Sequence, residues 1–202
     1  MTENSQDSNQ TMHLKEALRQ VMRHKNQALG KVAQETQSLS IRDTITSHPN
    51  WQAAQRILAY LPRKDEPNIL PLLHMALDEG KTIALPQYQQ NNGAYRPVII
   101  SHLEKDLEPG LYGILEPKST CIPMAGQSVD LTLIPGMAFD DKGWRLGRGK
   151  GFYDRMIPQL AGLRCGLAFD YQRVEAVPHD DLDQKMDWII TPERWIKSGS
   201  EV

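Results

Sequence analysis

Arg56-Ile57-Leu58-Ala59-Tyr60-Leu61-Pro62, then Ile69-Leu70-Pro71-Leu72-Leu73-His74-Met75-Ala76-Leu77, then Gly80-Lys81-Thr82-Ile83-Ala84-Leu85-Pro86 make up the stretch on which the fold turns. The outer two pieces are short apolar runs that each close at a proline, and the middle piece follows a helical pattern. The order is strand, helix, strand. Gly80 stands where a helix C-cap belongs, and the connection is long enough for a crossover between parallel strands.

Working outward, residues 98–100, 129–134, 165–169 and 188–190 are further short apolar runs, most of them bounded by Pro, Gly or Asp. Near-continuous apolar strands alternating with helices predict an α/β fold, a mostly parallel sheet covered by helices on both faces. Leu14, Leu18, Val21, Met22 and Leu29 fit one face of an amphipathic helix that breaks at Gly30. Residues 32–46 are again good helix formers, until His48-Pro49-Asn50 interrupts before a segment led by Trp51. Residues 104–127, around Glu116-Pro117, read as an irregular functional or covering loop. A disordered polar extension is expected over 1–11 and a flexible tail over 198–202, which leaves one domain over 12–197.

A chain of 202 residues has room for one full-sized core. Lys and Arg number 23 against 25 Asp and Glu, so no net field draws nucleic acid or an anionic membrane, and neither is expected as a partner. Cys121 and Cys165 lie far apart without metal-ligand spacing, which argues against a disulfide framework or a zinc site. No apolar run approaches the length of a membrane span, and the polar start lacks the basic and apolar character of a signal peptide; the expected compartment is the cytoplasm. Nothing in the sequence demands assembly, so a monomer is expected with the oligomeric state left open.

The densest chemical signal is Asp140-Asp141-Lys142-Gly143-Trp144-Arg145-Leu146-Gly147-Arg148-Gly149-Lys150-Gly151-Phe152-Tyr153-Asp154-Arg155. Gly147, Gly149 and Gly151 alternate with two cations between a strand and a helix start near Phe152. Backbone N–H groups can approach a ligand closely there, and Arg148 and Lys150 add charge, so the loop reads as a phosphate cradle. It is neither a Walker loop nor a dinucleotide fingerprint, because Lys150 precedes glycine and Phe152 fills the third glycine position. Asp154 and Asp187 are carboxylates at element ends that could serve Mg²⁺, or could be capping or solvated aspartates. Lys15, Arg19 and Arg23 form one basic stripe on the first helix, whose repulsion a bound anion would offset. Glu66 falls at the carboxyl edge of the proposed sheet, where open α/β folds place their ligands.

Pro135-Gly136-Met137-Ala138-Phe139-Asp140 followed by Arg145 to Asp154 resembles the signature of 5-formyltetrahydrofolate cyclo-ligases. The resemblance extends to Lys15-Glu16-Ala17-Leu18-Arg19, Asp65-Glu66, Gly80-Lys81, Leu85-Pro86, Glu116-Pro117 and the segment 183–191, nearly the whole chain after Met12. It implies a single domain similar to the sugar-phosphate isomerase and CoA transferase-like fold. It also implies conversion of 5-formyltetrahydrofolate, with or without a polyglutamate tail, into 5,10-methenyltetrahydrofolate with ATP and Mg²⁺, through an N5-iminium phosphate. By that resemblance Lys15, Glu16, Ala17, Leu18, Arg19, Arg145, Leu146, Gly147, Arg148, Gly149, Lys150, Gly151, Phe152 and Tyr153 bind ATP. Leu61, Glu66, Arg148, Gly149, Lys150, Gly151 and Phe152 bind the folate, Arg148, Lys150 and Tyr153 are catalytic, and Asp154 and Asp187 hold the metal. Two positions depart from the family pattern: Phe152 stands where a tyrosine is usual, and Pro67 follows Glu66. A non-catalytic folate-binding protein and a sugar-phosphate or nucleotide-phosphate enzyme are the competing classes.

Overall fold

The computed structural model describes residues 3–199. Strands β1 (Arg56–Leu58), β2 (Thr82–Gln89), β3 (Ala94–Ile100), β6 (Leu131–Pro135), β9 (Leu163–Leu167), β10 (Trp188–Ile190) and β11 (Trp195–Lys197) form one sheet in the order β11-β10-β9-β6-β1-β2-β3. The five inner strands run parallel, and β3 and β11 close the two edges antiparallel. Ile57 packs into the core on one face and the next residue, Leu58, into a separate cluster on the other, so the central strands bury side chains on both faces, which is why they read as continuous apolar runs.

Helix α1 (Glu3–Thr46) bends at Gly30, whose φ of 72° and ψ of 159° no helix accommodates. Its second half and α3 (Leu70–Asp78) cover one face, with Ile41, Ile45, Leu72 and Leu73 packed on Ile57, Ile83, Leu131 and Leu133. Truncating one of these fully buried residues to alanine costs about 2–5 kcal/mol. Short α2 (Pro49–Ala53) inserts buried Trp51 into the same core. The opposite face is covered less by helix than the sequence suggests. There α4 (Phe152–Met156) and the loop around Met124 and Val129 shield Leu58 and Ala84. Phe139 and Ile157 shield Ile134, Ala168 and Ile189. The Phe139 ring lies directly against the β9 backbone at Gly166, where a Cβ would collide with it.

Several expectations need correction. Residues 3–11 continue α1 as helix instead of forming a disordered extension, and residues 1–2 lie outside the described part. Ser198 and Gly199 are tied by backbone bonds to Asp187 and Asp141, while 200–202 lie outside the described residues. Pro86 does not end β2. The pairing with β1 stops at Ala84, so beyond it β2 has a ladder partner on one side only, and Pro86 lies opposite Pro97 without losing a bond. The stretch 104–127 is ordered by the hairpin of β4 (Leu107–Pro109) and β5 (Leu115–Pro117).

Candidate active site

The carboxyl ends of β1, β2 and β6 open onto a cleft of about 390 Å³. After β1 the chain turns outward through Leu61 and Pro62, and Tyr60 steadies the turn by donating its hydroxyl to the Pro67 carbonyl (2.9 Å). That turn brings Glu66 back under the sheet edge with only 7% of its surface exposed. One oxygen accepts the Arg63 N–H at 3.1 Å, and the other accepts Arg148 Nε at 3.1 Å and Nη2 at 3.0 Å. Burial pushes the Glu66 carboxyl up from its usual range, against the pull of the Arg148 guanidinium. Asp65 takes the same Arg148 Nη2 at 2.7 Å.

Facing this turn is the hairpin of β7 (Ala138–Phe139) and β8 (Arg145–Leu146), which projects from the end of β6 and delivers the glycine loop. Arg145, 5% exposed, runs beneath the loop and donates to Asp154 at 2.9 Å and to the Pro135 carbonyl at 3.3 Å. Among the described residues its Nε has no hydrogen-bond partner, a buried donor left over inside the cleft wall. The Arg145 guanidinium also lies 5.5 Å from the Tyr153 ring centre. Enclosure and the Glu66 charge push the Tyr153 hydroxyl well up, which keeps its proton available for donation. Gly149 and Gly151 take φ of 92° and 62°, which lets the loop turn back on itself. Arg19 from α1 packs against that turn and donates Nε to the Gly147 carbonyl at 2.9 Å.

The cleft has two unlike walls. Leu61, Leu85, Pro86, Ile114 and Leu115 make one side apolar, and Tyr95 with Phe152, edge to face at 4.9 Å, extend it. Glu66, Arg145, Arg148, Lys150 and Tyr153 crowd the other. Such a space suits a flat, partly apolar ligand with a polyanion beside it. Glu116 fixes the covering hairpin by accepting the N–H groups of Tyr88 (2.8 Å) and Leu111 (3.2 Å).

Of the residues singled out in the sequence, Leu61, Glu66, Arg145, Gly147, Arg148, Lys150, Gly151, Phe152, Tyr153 and Asp154 line this cleft. Leu146 is buried against Met22 in the packing that seats α1, and Leu18 joins the same cluster. Ala17 is exposed. Glu16 pairs with Arg19 and Arg23, each at 3.1 Å, so the basic stripe is partly neutralised within its own helix. Lys15 lies beyond the cleft wall and is held by Asp180 at 2.6 Å and Asp183 at 2.5 Å. Those two aspartates, Asp65, Tyr95 and the 114–116 segment were not singled out as site residues. The partners of the three aspartates lie 83 to 168 residues away in the chain, which leaves no local signature.

Asp187 does not join Asp154. It precedes β10 at the amino end of the strands, where it accepts the Arg164 N–H at 2.8 Å and its Nη2 at 2.6 Å. Asp130 does the same before β6, accepting the Arg56 N–H and Nη2 at 2.8 Å each. Asp187 is thus a strand staple on the edge opposite the cleft. Among the described residues no three His, Cys, Asp or Glu side chains gather as a metal cage. The donor set fits Mg²⁺ only as an ion held mainly by phosphate oxygens, with Asp154 as a cleft carboxylate that does not pair with Arg148.

The model of the 5-formyltetrahydrofolate cyclo-ligase family matches residues 11–192. A probable 5-formyltetrahydrofolate cyclo-ligase of Schizosaccharomyces pombe is 29% identical, over 86% of this chain and 94% of that protein. The 5-formyltetrahydrofolate cyclo-ligase of Mus musculus is 28% identical, over 87% and 92%. The NMR structure of Aquifex aeolicus 5,10-methenyltetrahydrofolate synthetase superposes with a TM-score of 0.83 at 29% identity, covering 94% of this chain and 95% of that one.

Proposed function

The chain belongs to the 5-formyltetrahydrofolate cyclo-ligase family, and from that membership we propose that it closes 5-formyltetrahydrofolate to 5,10-methenyltetrahydrofolate at the expense of ATP, releasing ADP and phosphate. The observation that carries this reading is the two-walled cleft: an apolar, aromatic wall for the pterin and a cationic, glycine-rich wall for the transferred phosphoryl group.

The N5-formyl oxygen is a poor leaving group until it is phosphorylated. It attacks the γ-phosphorus with ADP leaving, which gives an N5-iminium phosphate. The N10 amine then adds to the formyl carbon, its proton is lost, and phosphate departs as the methenyl bridge forms. Arg148, Lys150 and the loop N–H groups neutralise charge that grows on the phosphoryl oxygens, while the Tyr153 hydroxyl donates to whichever oxygen carries it. The buried Arg145 guanidinium orients Asp154, the residue that would hold Mg²⁺. When bound, the ion neutralises phosphate charge. Glu66 accepts from N–H groups of the bound folate, and the covering 114–116 segment keeps water from the reacting carbon.

Arg19 reaches the rim of the glycine loop, so the α1 share of nucleotide binding is proposed to run through Arg19, with Lys15 braced behind it. The enzyme is proposed to act on the small molecule as a cytoplasmic monomer. Among the described residues no helix is long and apolar enough to cross a membrane.

Purified protein mixed with 5-formyltetrahydrofolate, ATP and Mg²⁺ is expected to develop the methenyl chromophore with one ADP formed per methenyl product. Folate binding without a chromophore would overturn the reading.

A further inference from the structure

We propose that Asp65 is a positioning residue that acts through Arg148, occupying the guanidinium face a phosphoryl group needs and so setting how tightly the glycine loop holds phosphate. The inference rests on the assignment of phosphate to that loop.

A guanidinium offers two fork-shaped faces, Nε with Nη2 and Nη1 with Nη2, and both use Nη2. Glu66 takes the first face through a single oxygen, at 3.1 Å from Nε and 3.0 Å from Nη2. The remaining Nη2 hydrogen points toward the Nη1 side and goes to Asp65 Oδ1 at 2.7 Å, the shortest of the three bonds. A phosphoryl group can take the Nη1–Nη2 fork only by displacing Asp65, because Glu66 is buried behind the other fork with its side chain 5% exposed. Asp65 is the carboxylate able to give way, since its side chain is 37% exposed and that of Arg148 is 33% exposed. Its backbone is anchored separately, the Asp65 carbonyl accepting from Asn26 of α1 at 3.5 Å.

Asp65 therefore keeps Arg148 extended on Glu66, yields when phosphate arrives, and reclaims the fork when phosphate leaves. The exchange swaps one charge-assisted pair for another, so its net effect on affinity is that of a half-exposed ion pair.

The test is calorimetric binding of the β,γ-imido analogue of ATP, with Mg²⁺, to the wild-type chain, to Asp65→Asn and to both in an Arg148→Lys background. Asp65→Asn is expected to tighten analogue binding about three- to fivefold, with affinity for 5-formyltetrahydrofolate unchanged. The gain is expected to vanish in the Arg148→Lys background, because lysine has no fork to contest. Asp65→Glu is expected to restore wild-type affinity. Equal tightening in both backgrounds would mean plain charge repulsion and overturn the inference. Unchanged or weaker binding by Asp65→Asn would overturn it as well, leaving the cleft assignment intact. An analogue that binds none of the proteins would remove the phosphate site itself, and the proposed function with it.

Discussion

The two edges of the sheet use the same charged residues in opposite ways. At the amino edge, Asp130 and Asp187 each bind one arginine and that arginine's own N–H, Arg56 and Arg164, in closed local pairs. At the carboxyl edge, Arg148 is shared by Asp65 and Glu66, Lys15 by Asp180 and Asp183, and Arg145 is buried with an unused Nε. Closed pairs align strands. Shared and unfinished ones can be rearranged by a ligand, which is what a catalytic edge requires.

The largest effect should come from removing a carboxyl-edge charge. Lys150→Met is expected to lower turnover about 100- to 1,000-fold with little change in melting temperature, measured by steady-state kinetics beside thermal unfolding. Normal turnover would strip Lys150 of its role and blur the contrast.

Asp154→Asn should move both readouts. It raises the Mg²⁺ concentration needed for half-maximal rate, and it leaves the buried Arg145 charge without its carboxylate, costing about 2 kcal/mol of stability by denaturant titration. Loss of stability with an unchanged Mg²⁺ titration would make Asp154 a brace for Arg145 alone.

Asp187→Asn should move only one. Both partners of its pair are about one-third exposed, so a loss of about 1 kcal/mol is expected, with turnover and Mg²⁺ response preserved. A changed Mg²⁺ titration would return Asp187 to the metal.

The smallest effect is a pH signature of the amino edge. Arg56 and the N–H groups beside it lower the Asp130 carboxyl to about 2, below the usual value of 3.8. A depressed folded-state value stabilises above the unfolded value and is lost as pH falls through the folded one. The stability gap between wild type and Asp130→Asn should therefore be constant above about pH 5 and shrink between pH 4 and 2. A gap independent of pH would show that the staple works through geometry and not charge.

The strands were legible because burial on both faces writes them as unbroken apolar runs, as in Ile57-Leu58 and Leu133-Ile134. The glycine loop was legible because its geometry demands glycine at Gly149 and Gly151. Pro86 misled because a proline ends a strand only where both sides are paired, and sequence does not show where β1 stops. β11 went unread because Trp195-Ile196-Lys197 is too short to stand out. The direction of β10 separates Asp187 from Asp154: a residue just before a strand that runs parallel to its neighbour sits at the amino edge, and only the pairing of β10 with β9 shows that direction. The partners of Arg148 and Lys15 arrive from distant segments, so no spacing rule reaches them.

The most direct test of this division of labour is the rate of methenyl formation by wild type, Lys150→Met and Asp187→Asn, followed in the near ultraviolet with 5-formyltetrahydrofolate, ATP and Mg²⁺. The account predicts an ATP-dependent rise for wild type and Asp187→Asn alike and about a hundredfold or greater loss for Lys150→Met. Loss of the reaction in well-folded Asp187→Asn, with Lys150→Met still active, would contradict it.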